Sequence, residues 1–279
     1  MADRKAEGAM EVIKTPDFEA MVVGAHPDDA DFASAGTSAL WARQDKKVVW
    51  VIMTDGTEGT EIPGMVDTEL MLMREEEQRR ACKVLGVQAV EFLRFPDGHL
   101  TNSEAARKGL VRLIRKYRPR LVITHDPTQQ FFAPDPDEKP DDTAYLNHPD
   151  HRATGNIVLD AIFPAVGNPH SYRELLAEGF LPYQVHELYL FHSVQDNTFV
   201  DITETLELKA EGLQCHVTQF GPEANMLEGV KRWGAETAKE AKEKKGLEMQ
   251  YAESFRRIKL HVPKKEEPEV PETQEEAEA

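Results

Sequence analysis

Two short segments hold residues of the right type and spacing for metal-assisted chemistry: Ala25-His26-Pro27-Asp28-Asp29 and His148-Pro149-Asp150-His151. His26 and Asp29 are three residues apart. If the chain turns into a helix there, an imidazole and a carboxylate lie on one side and can reach one cation. His148 and His151 repeat the spacing. Catalytic zinc sites use three nitrogen or oxygen ligands and leave a position for water, and His26, Asp29 and His151 meet that need. Asp28 then suits the role of general base, since a carboxylate held by a metal is a poor one. Its proton would come from a water acidified to a pKa of about 7. His148, left off the metal, could steady a developing oxyanion or protonate a leaving nitrogen, with Asp150 holding that imidazole in one tautomer. The donors suit Zn2+, and Fe2+ fits the same set. One His-Pro-Asp alone reads as a turn. Two such motifs, each with a second donor three residues from its histidine, are hard to explain as turns.

These motifs need elements to present them. Five segments read as buried strands: Ala20–Gly24, Val48–Met53, Val90–Phe95, Leu121–Thr124 and His186–Phe191. Most are short apolar runs, as in strands covered on both faces. Helical patterns at Thr37–Gln44, Thr68–Leu85 and Ser103–Tyr117 alternate with them, the second stopped by Gly86 and the third capped by Ser103. The alternation predicts an α/β fold with a Rossmann-like, mostly parallel sheet, helices on both faces, and the active site at the carboxyl ends of the strands. Four successive strands deliver polar residues to that edge: His26 to Asp29, Thr54 to Thr57, Pro96 to Gly98, and His125 to Pro127. The stretch from Pro127 to Asn147 is long and acidic, with little periodicity, and reads as a lid ending at His148. Ala224 to Leu260 reads as helix with a weak point at Gly246.

Composition bounds the partners. The 279 residues carry a net charge of −17, which argues against a nucleic-acid partner. Residues 263–279 hold two lysines and seven glutamates and no aromatic residue, and they read as a disordered acidic tail. Two cysteines are too few for a disulfide framework and point to a reducing compartment. No run has the length of a signal peptide or a membrane span, so a cytoplasmic protein is expected. A homo-oligomer is compatible with the sequence. There is no G-x-G-x-x-G after the first strand and no G-K-[ST], so a nucleotide cofactor has no fingerprint.

The two histidine motifs, with Thr54-Asp55-Gly56, Arg74-Glu75-Glu76-Glu77, Pro96-Asp97-Gly98 and Thr124-His125-Asp126-Pro127, resemble those of the LmbE-like, or PIG-L, de-N-acetylases. The resemblance runs from about Ala20 to His216 and divides the chain into an extension at 1–16, a deacetylase domain at 17–262 and the tail at 263–279. It implies zinc on His26, Asp29 and His151, Asp28 as base, and His148 at the tetrahedral intermediate. It further implies that Arg74 and Asp97 contact substrate hydroxyls; on its own, Arg74 reads equally well as part of a solvated helix face. The sequence departs from the family at Ala30, where many members have Glu, and at Tyr145, which precedes His148 by three rather than two residues and is given no role. The acidic lid favours a neutral or cationic substrate. His125 is placed to line the pocket, whereas His192 and His216 read as core or surface histidines. The expected activity is hydrolysis of an N-acetyl group on a glucosamine-type sugar or conjugate. Its rivals are an amidase acting on a non-sugar amide and a silent binding protein of the same fold.

Overall fold

A computed structural model describes residues 12–60, 65–132 and 144–261. The expected tail, and most of the expected N-terminal extension, lie outside the described residues. Residues 12–16 do not: the Ile13 amide donates to Pro182 O at 2.8 Å, and its carbonyl accepts from Gln184 N at 3.0 Å.

Five strands form a parallel core: β1 (Phe18–Gly24), β2 (Val48–Thr54), β3 (Ala89–Phe95), β4 (Pro119–His125) and, after the two-residue ladder of β5 (Phe131–Phe132) and β6 (Tyr145–Leu146), β7 (Glu187–Phe191). Two further strands, β8 (Thr198–Asp201) and β9 (Ala252–Lys259), complete a seven-stranded sheet of order β3-β2-β1-β4-β7-β9-β8. β9 runs antiparallel to both β7 and β8. Side chains alternate across the sheet. Met21, Val23, Val49, Val51 and Val122 pack on one face, and Ala20, Val22, Val48, Trp50 and Ile123 on the other. Along β1, β2, β4 and β7 both faces are dry, so these strands read as mostly apolar runs, whereas the edge strand β3 is only half-buried. The strand order reverses direction between β1 and β4, which opens a crevice at their carboxyl ends.

The helices follow the expected alternation with two corrections. α1 spans Asp29–Arg43, eight residues earlier than the start expected at Thr37. Nearly all of it is buried, so no amphipathic stripe announces it. Its start is marked instead by Asp29 and Asp31, which lie where the helix dipole favours negative charge. α2 (Asp67–Leu85) ends at Gly86 with φ 74°, and α3 (Glu104–Tyr117) is capped by Ser103, whose side chain accepts from Ala106 N at 3.2 Å. α4 (Pro149–Asp160) leads into Ala161–Val166, where the helix is kinked at the extended residue Phe163. α5 (Arg173–Ala177), α6 (Leu206–Gln214), α7 (Val217–Phe220) and α8 (Met226–Lys245) follow.

The second correction is at the C-terminal end. The helix expected to run to Leu260 stops at Gly246 (φ 67°), and residues 252–259 are β9. Only Ala252, Glu253 and Phe255 of this strand are buried, so its charged sequence resembled the helix before it. β9 reaches back to α1: Glu253 accepts from the amides of Gly36 and Thr37 at 3.0 and 2.8 Å. Lys209 on α6 donates to Glu253 and to Phe32 O. Of the expected lid, residues 131–132 and 145–146 pair as β5 and β6, and 133–143 lie outside the described residues. Among the described residues no helix is long and apolar enough to cross a membrane.

Phe255 is fully buried on β9. Phe255→Ala is expected to cost about 3–5 kcal/mol, read as a lowered denaturation midpoint. A loss of a few tenths would mean that β9 is a detachable edge.

Candidate active site

β1 ends at Gly24, and the next five residues turn sharply into α1. Asp28 stands at the turn with φ 103°, a conformation that non-glycine residues rarely adopt. Its amide donates to Gln78 Oε1 at 3.0 Å. Asp29 opens the helix. Its Oδ2 accepts from the His26 amide at 2.7 Å and lies 3.5 Å from His26 Nδ1. Gly24 leaves the space: a Cβ there would meet Asp29 Cβ at 3.0 Å.

α4 brings the second motif to the same place. His148 is its N-cap, and Pro149 follows, where a missing amide hydrogen is no loss. His151 projects Nε2 to 3.2 Å from Asp29 Oδ1. His125, at the end of β4, puts Nε2 3.2 Å from Asp29 Oδ2 and 3.3 Å from the Ala25 amide, and its ring stacks on His151 at 4.2 Å. Donor atoms of His26, His148 and His151 all lie within 4.8 Å of one another, as do those of Asp29, His125 and His151. The two motifs therefore converge on Asp29, and His125 joins them.

The fit of a cation follows from the hydrogen bonds. Asn147 donates its amide hydrogen to Gln129 O at 2.8 Å, which turns its Oδ1 toward His151 Nδ1 at 3.1 Å. Nδ1 therefore carries a proton, and Nε2 faces Asp29 Oδ1, where a proton or a cation must lie between the two atoms. Two acceptors 3.2 Å apart repel unless a positive charge lies with them. His26 has the same need. Burial opposes charge on this ring, yet hydrogen bonds to Asp150, Asp29 and Asp97 hold its pKa up at about 12. Nε2 of His26 is 3.0 Å from Asp97 and 3.5 Å from Asp150, which leaves Nδ1 on the side of Asp29. Carboxylates behind a ligating imidazole fix its orientation and raise its basicity. Burial also acts against ionised Asp29, but His151 and His125 hold it well below the usual carboxylate range. Imidazole and carboxylate donors of this kind suit zinc.

Asp28 lies beside this cluster in a different environment. Burial pushes its carboxyl up to about 6, against the pull of Arg74. The Arg74 guanidinium holds the loop from behind, donating to Gly56 O at 2.6 Å, to Pro27 O at 2.8 Å and to Asp28 Oδ2 at 3.3 Å. A Cβ at Gly56 or Gly59 would come within 2.7 or 2.6 Å of its Nη1. Behind Gln78 the chain continues to Asp31, which accepts from Gln78 at 2.7 Å and lies 3.1 Å from His216 Nε2. Asp31 and His216 are both fully buried. His148 is exposed. Its Nδ1 accepts from the Asp150 amide at 3.2 Å, so a neutral ring carries its proton on Nε2. Burial, then the neighbouring His26 and His151, lower its pKa and favour that neutral form.

All eight residues singled out from the sequence thus gather at one edge of the sheet, with three differing in detail. Asp150 does not hold His148 through its side chain: its carboxylate accepts from the Gly98 and Leu100 amides at 2.8 and 3.1 Å, and only its backbone N–H reaches His148. Arg74 and Asp97, expected to meet substrate, are buried at 2% and 6% exposure. Arg74 holds Asp28, and Asp97 faces His26 and the Glu58 amide. Sequence reasoning missed Asn147, Gln78 and Asp31, and it gave His216 no partner. No local signal marks them, because most of their partners are remote in sequence.

Fold and site together define an α/β protein with a His–Asp cluster able to hold a cation over the switch point of its sheet and a shielded carboxylate beside it. The sequence profile described as PIG-L, GlcNAc-PI de-N-acetylase, matches residues 21–162. Diacetylchitobiose deacetylase of Thermococcus kodakarensis is 33% identical over 195 residues, covering 70% of this chain and 67% of that protein. A probable N-acetyl-α-D-glucosaminyl L-malate deacetylase of Bacillus anthracis is 26% identical over 215 residues, covering 74% and 84%. The solved N,N'-diacetylchitobiose deacetylase from Pyrococcus horikoshii superposes with a TM-score of 0.73 at 28% identity, covering 86% of this chain and 84% of that one. The chain belongs to the PIG-L family of de-N-acetylases, and these relatives are N-acetyl-sugar deacetylases.

Gly155 lies one turn beyond His151 on α4, where a Cβ would meet His125 O at 2.6 Å and Pro127 Cδ at 2.8 Å. Gly155→Ala must push α4 away from β4 and take His151 with it. Zinc affinity, measured by competition with a chromogenic chelator, is expected to fall about 10–100-fold. Unchanged affinity would mean that the helix yields elsewhere.

Proposed function

We propose that this protein is a zinc-dependent hydrolase that removes the acetyl group from the acetamido nitrogen of an amino sugar. The observation that carries the reading is the convergence of His26, Asp29 and His151, with His151 Nε2 3.2 Å from Asp29 Oδ1, in a cluster whose donor atoms lie close enough together to share a cation. His26 through Nδ1, Asp29, and His151 through Nε2 would hold the metal, with Fe2+ able to replace Zn2+. The cation would supply Lewis acidity toward water and the amide carbonyl.

The chain's own groups supply the rest. Asp28, ionised beside Arg74, accepts the proton of the attacking water. Its pKa near 6 leaves it basic at neutral pH and a competent donor once protonated, so it can pass that proton to the departing nitrogen. The Nε2–H of His148 donates to the carbonyl oxygen as negative charge gathers there. Asp97 and Asp150 keep His26 oriented, and Asn147 does the same for His151. Acetate and a free amino sugar leave. Two unpaired cysteines, Cys82 and Cys215, support the cytoplasmic setting expected from the sequence.

Acetate release from N-acetylglucosamine and its glycosides, run with zinc-loaded wild type beside Asp28→Ala, tests the reading. The variant is expected to lose about 10²–10⁴-fold in kcat with its bound zinc unchanged. Metal binding without turnover of any amino sugar would move the substrate to another amide. Failure to bind metal would sink the mechanism.

A further inference from the structure

The segment at residues 216–219 lies outside the cluster, yet three of its side chains grip the elements that surround Asp28. His216 Nε2 lies 3.1 Å from Asp31 Oδ2 on α1. Thr218 donates from its amide and its hydroxyl to the carboxylate of Glu77 on α2, at 2.9 and 2.6 Å. Gln219 Nε2 donates to Gly59 O at 2.7 Å, in the loop packed on the Arg74 guanidinium. Gln78, Asp31 and His216 are fully buried, so they can act on the site only through the residues they touch.

These contacts end on one backbone amide. Asp28 has φ 103° and ψ −29°, and a residue with a side chain keeps such a conformation only where its surroundings over-determine it. On one side, Asp28 O accepts from the amides of Asp31 and Phe32 at 2.8 and 3.0 Å, in the first turn of α1. On the other, Arg74 holds Pro27 O. The N–H between them goes to Gln78 Oε1 at 3.0 Å. A carboxamide could present either of its ends, but Gln78 is fixed. Its Nε2 donates to Asp31 Oδ2 at 2.7 Å, which turns the oxygen to Asp28. Asp31 is held in turn by His216, and Gly212 gives it room, since a Cβ there would stand 3.2 Å from Asp31 Oδ1. Apolar side chains of the same size would join α1, α2 and α6 without the desolvation cost of this polar chain. They could not take the Asp28 N–H.

We propose that Gln78, Asp31 and His216 are positioning residues for the general base. They lock the Asp28 peptide in its left-handed turn, so that its carboxylate stays beside the cluster and does not swing away as the turn relaxes. The proposal rests on the hydrolase reading, in which Asp28 takes the proton of the attacking water.

The test compares zinc-loaded wild type with Gln78→Met, His216→Leu, His216→Gln and the double variant Gln78→Glu with Asp31→Asn, on an N-acetylglucosamine glycoside. Gln78→Met fills the space without hydrogen bonds. It is expected to lower kcat about 10²-fold, as a displacement on the order of 1 Å does, with KM and zinc affinity unchanged. His216→Leu is expected to lose about tenfold in kcat by the same route, and His216→Gln, which returns an N–H to Asp31, to recover it. The double variant keeps the net charge and exchanges donor for acceptor between positions 78 and 31. His216 can follow that exchange, because its Nδ1 meets no partner among the described residues and the ring can take either tautomer. The double variant is therefore expected to turn over like wild type. Exchange of the Asp28 amide hydrogen, read by NMR on the zinc-loaded chain, should be about tenfold faster in Gln78→Met and unchanged in the double variant. Loss of zinc affinity together with kcat, or no recovery in the double variant and His216→Gln, would reduce the polar chain to packing and overturn the proposal. So would wild-type kcat in a folded Gln78→Met. Should Gln78→Met not fold, the two His216 variants carry the same contrast. No turnover of any amino sugar by wild type would remove the hydrolase reading and the role of the lock with it, whereas the amide exchange reports the lock itself.

Discussion

A buried carboxylate is tolerable only while positive charge stays beside it, and the sheet edge is arranged around that constraint at Asp29. Oδ2 is held by the His26 amide and lies against His125, and Oδ1 faces His151. Three chain segments, the β1–α1 turn, the end of β4 and the first turn of α4, are thereby fixed against each other. Each arrives by a different route through the fold. The crevice between β1 and β4 exists because the strand order reverses there, and α4 can close over it because Gly155 lets the helix touch β4 backbone.

The same edge separates two kinds of carboxylate. Asp29, Asp97 and Asp150 are all held below their ordinary pKa by imidazoles and amides, even though burial opposes it. Asp28, one residue from Asp29, is pushed up by burial with only Arg74 as a strong counterweight. Adjacent residues with opposite shifts accord with the proposed division between holding charge and moving protons.

Much of this was legible in the sequence, for a physical reason. Parallel strands covered on both faces read as short apolar runs, and residues just after them lie at the carboxyl edge, so both histidine motifs could be placed from local patterns. What stayed hidden depends on remote partners. Asp31 and His216 are each ordinary in sequence and meaningful only as a buried pair. Arg74, Glu75 and Glu77 look like a solvated run, yet all three are buried, with Glu75 paired to Arg94 and Glu77 to Thr218. α1 began earlier than expected because a helix buried nearly all round has no stripe to read. β9 was hidden because a strand with one wet face, rich in Arg and Lys, borrows the composition of the helix before it.

The clamp between β9 and α1 bears on how the protein is made. Glu253 holds the amides of Gly36 and Thr37, within the helix that Asp29 begins. Every side chain of the His–Asp cluster therefore precedes in sequence the residue that finishes its scaffold. During translation the imidazoles and carboxylates leave the ribosome first, on a half-built sheet with β7 still open along its edge. The scaffold of the cluster is complete only with the last strand, which lies between β7 and β8, so its geometry depends on the far end of the sequence as much as on its own donors.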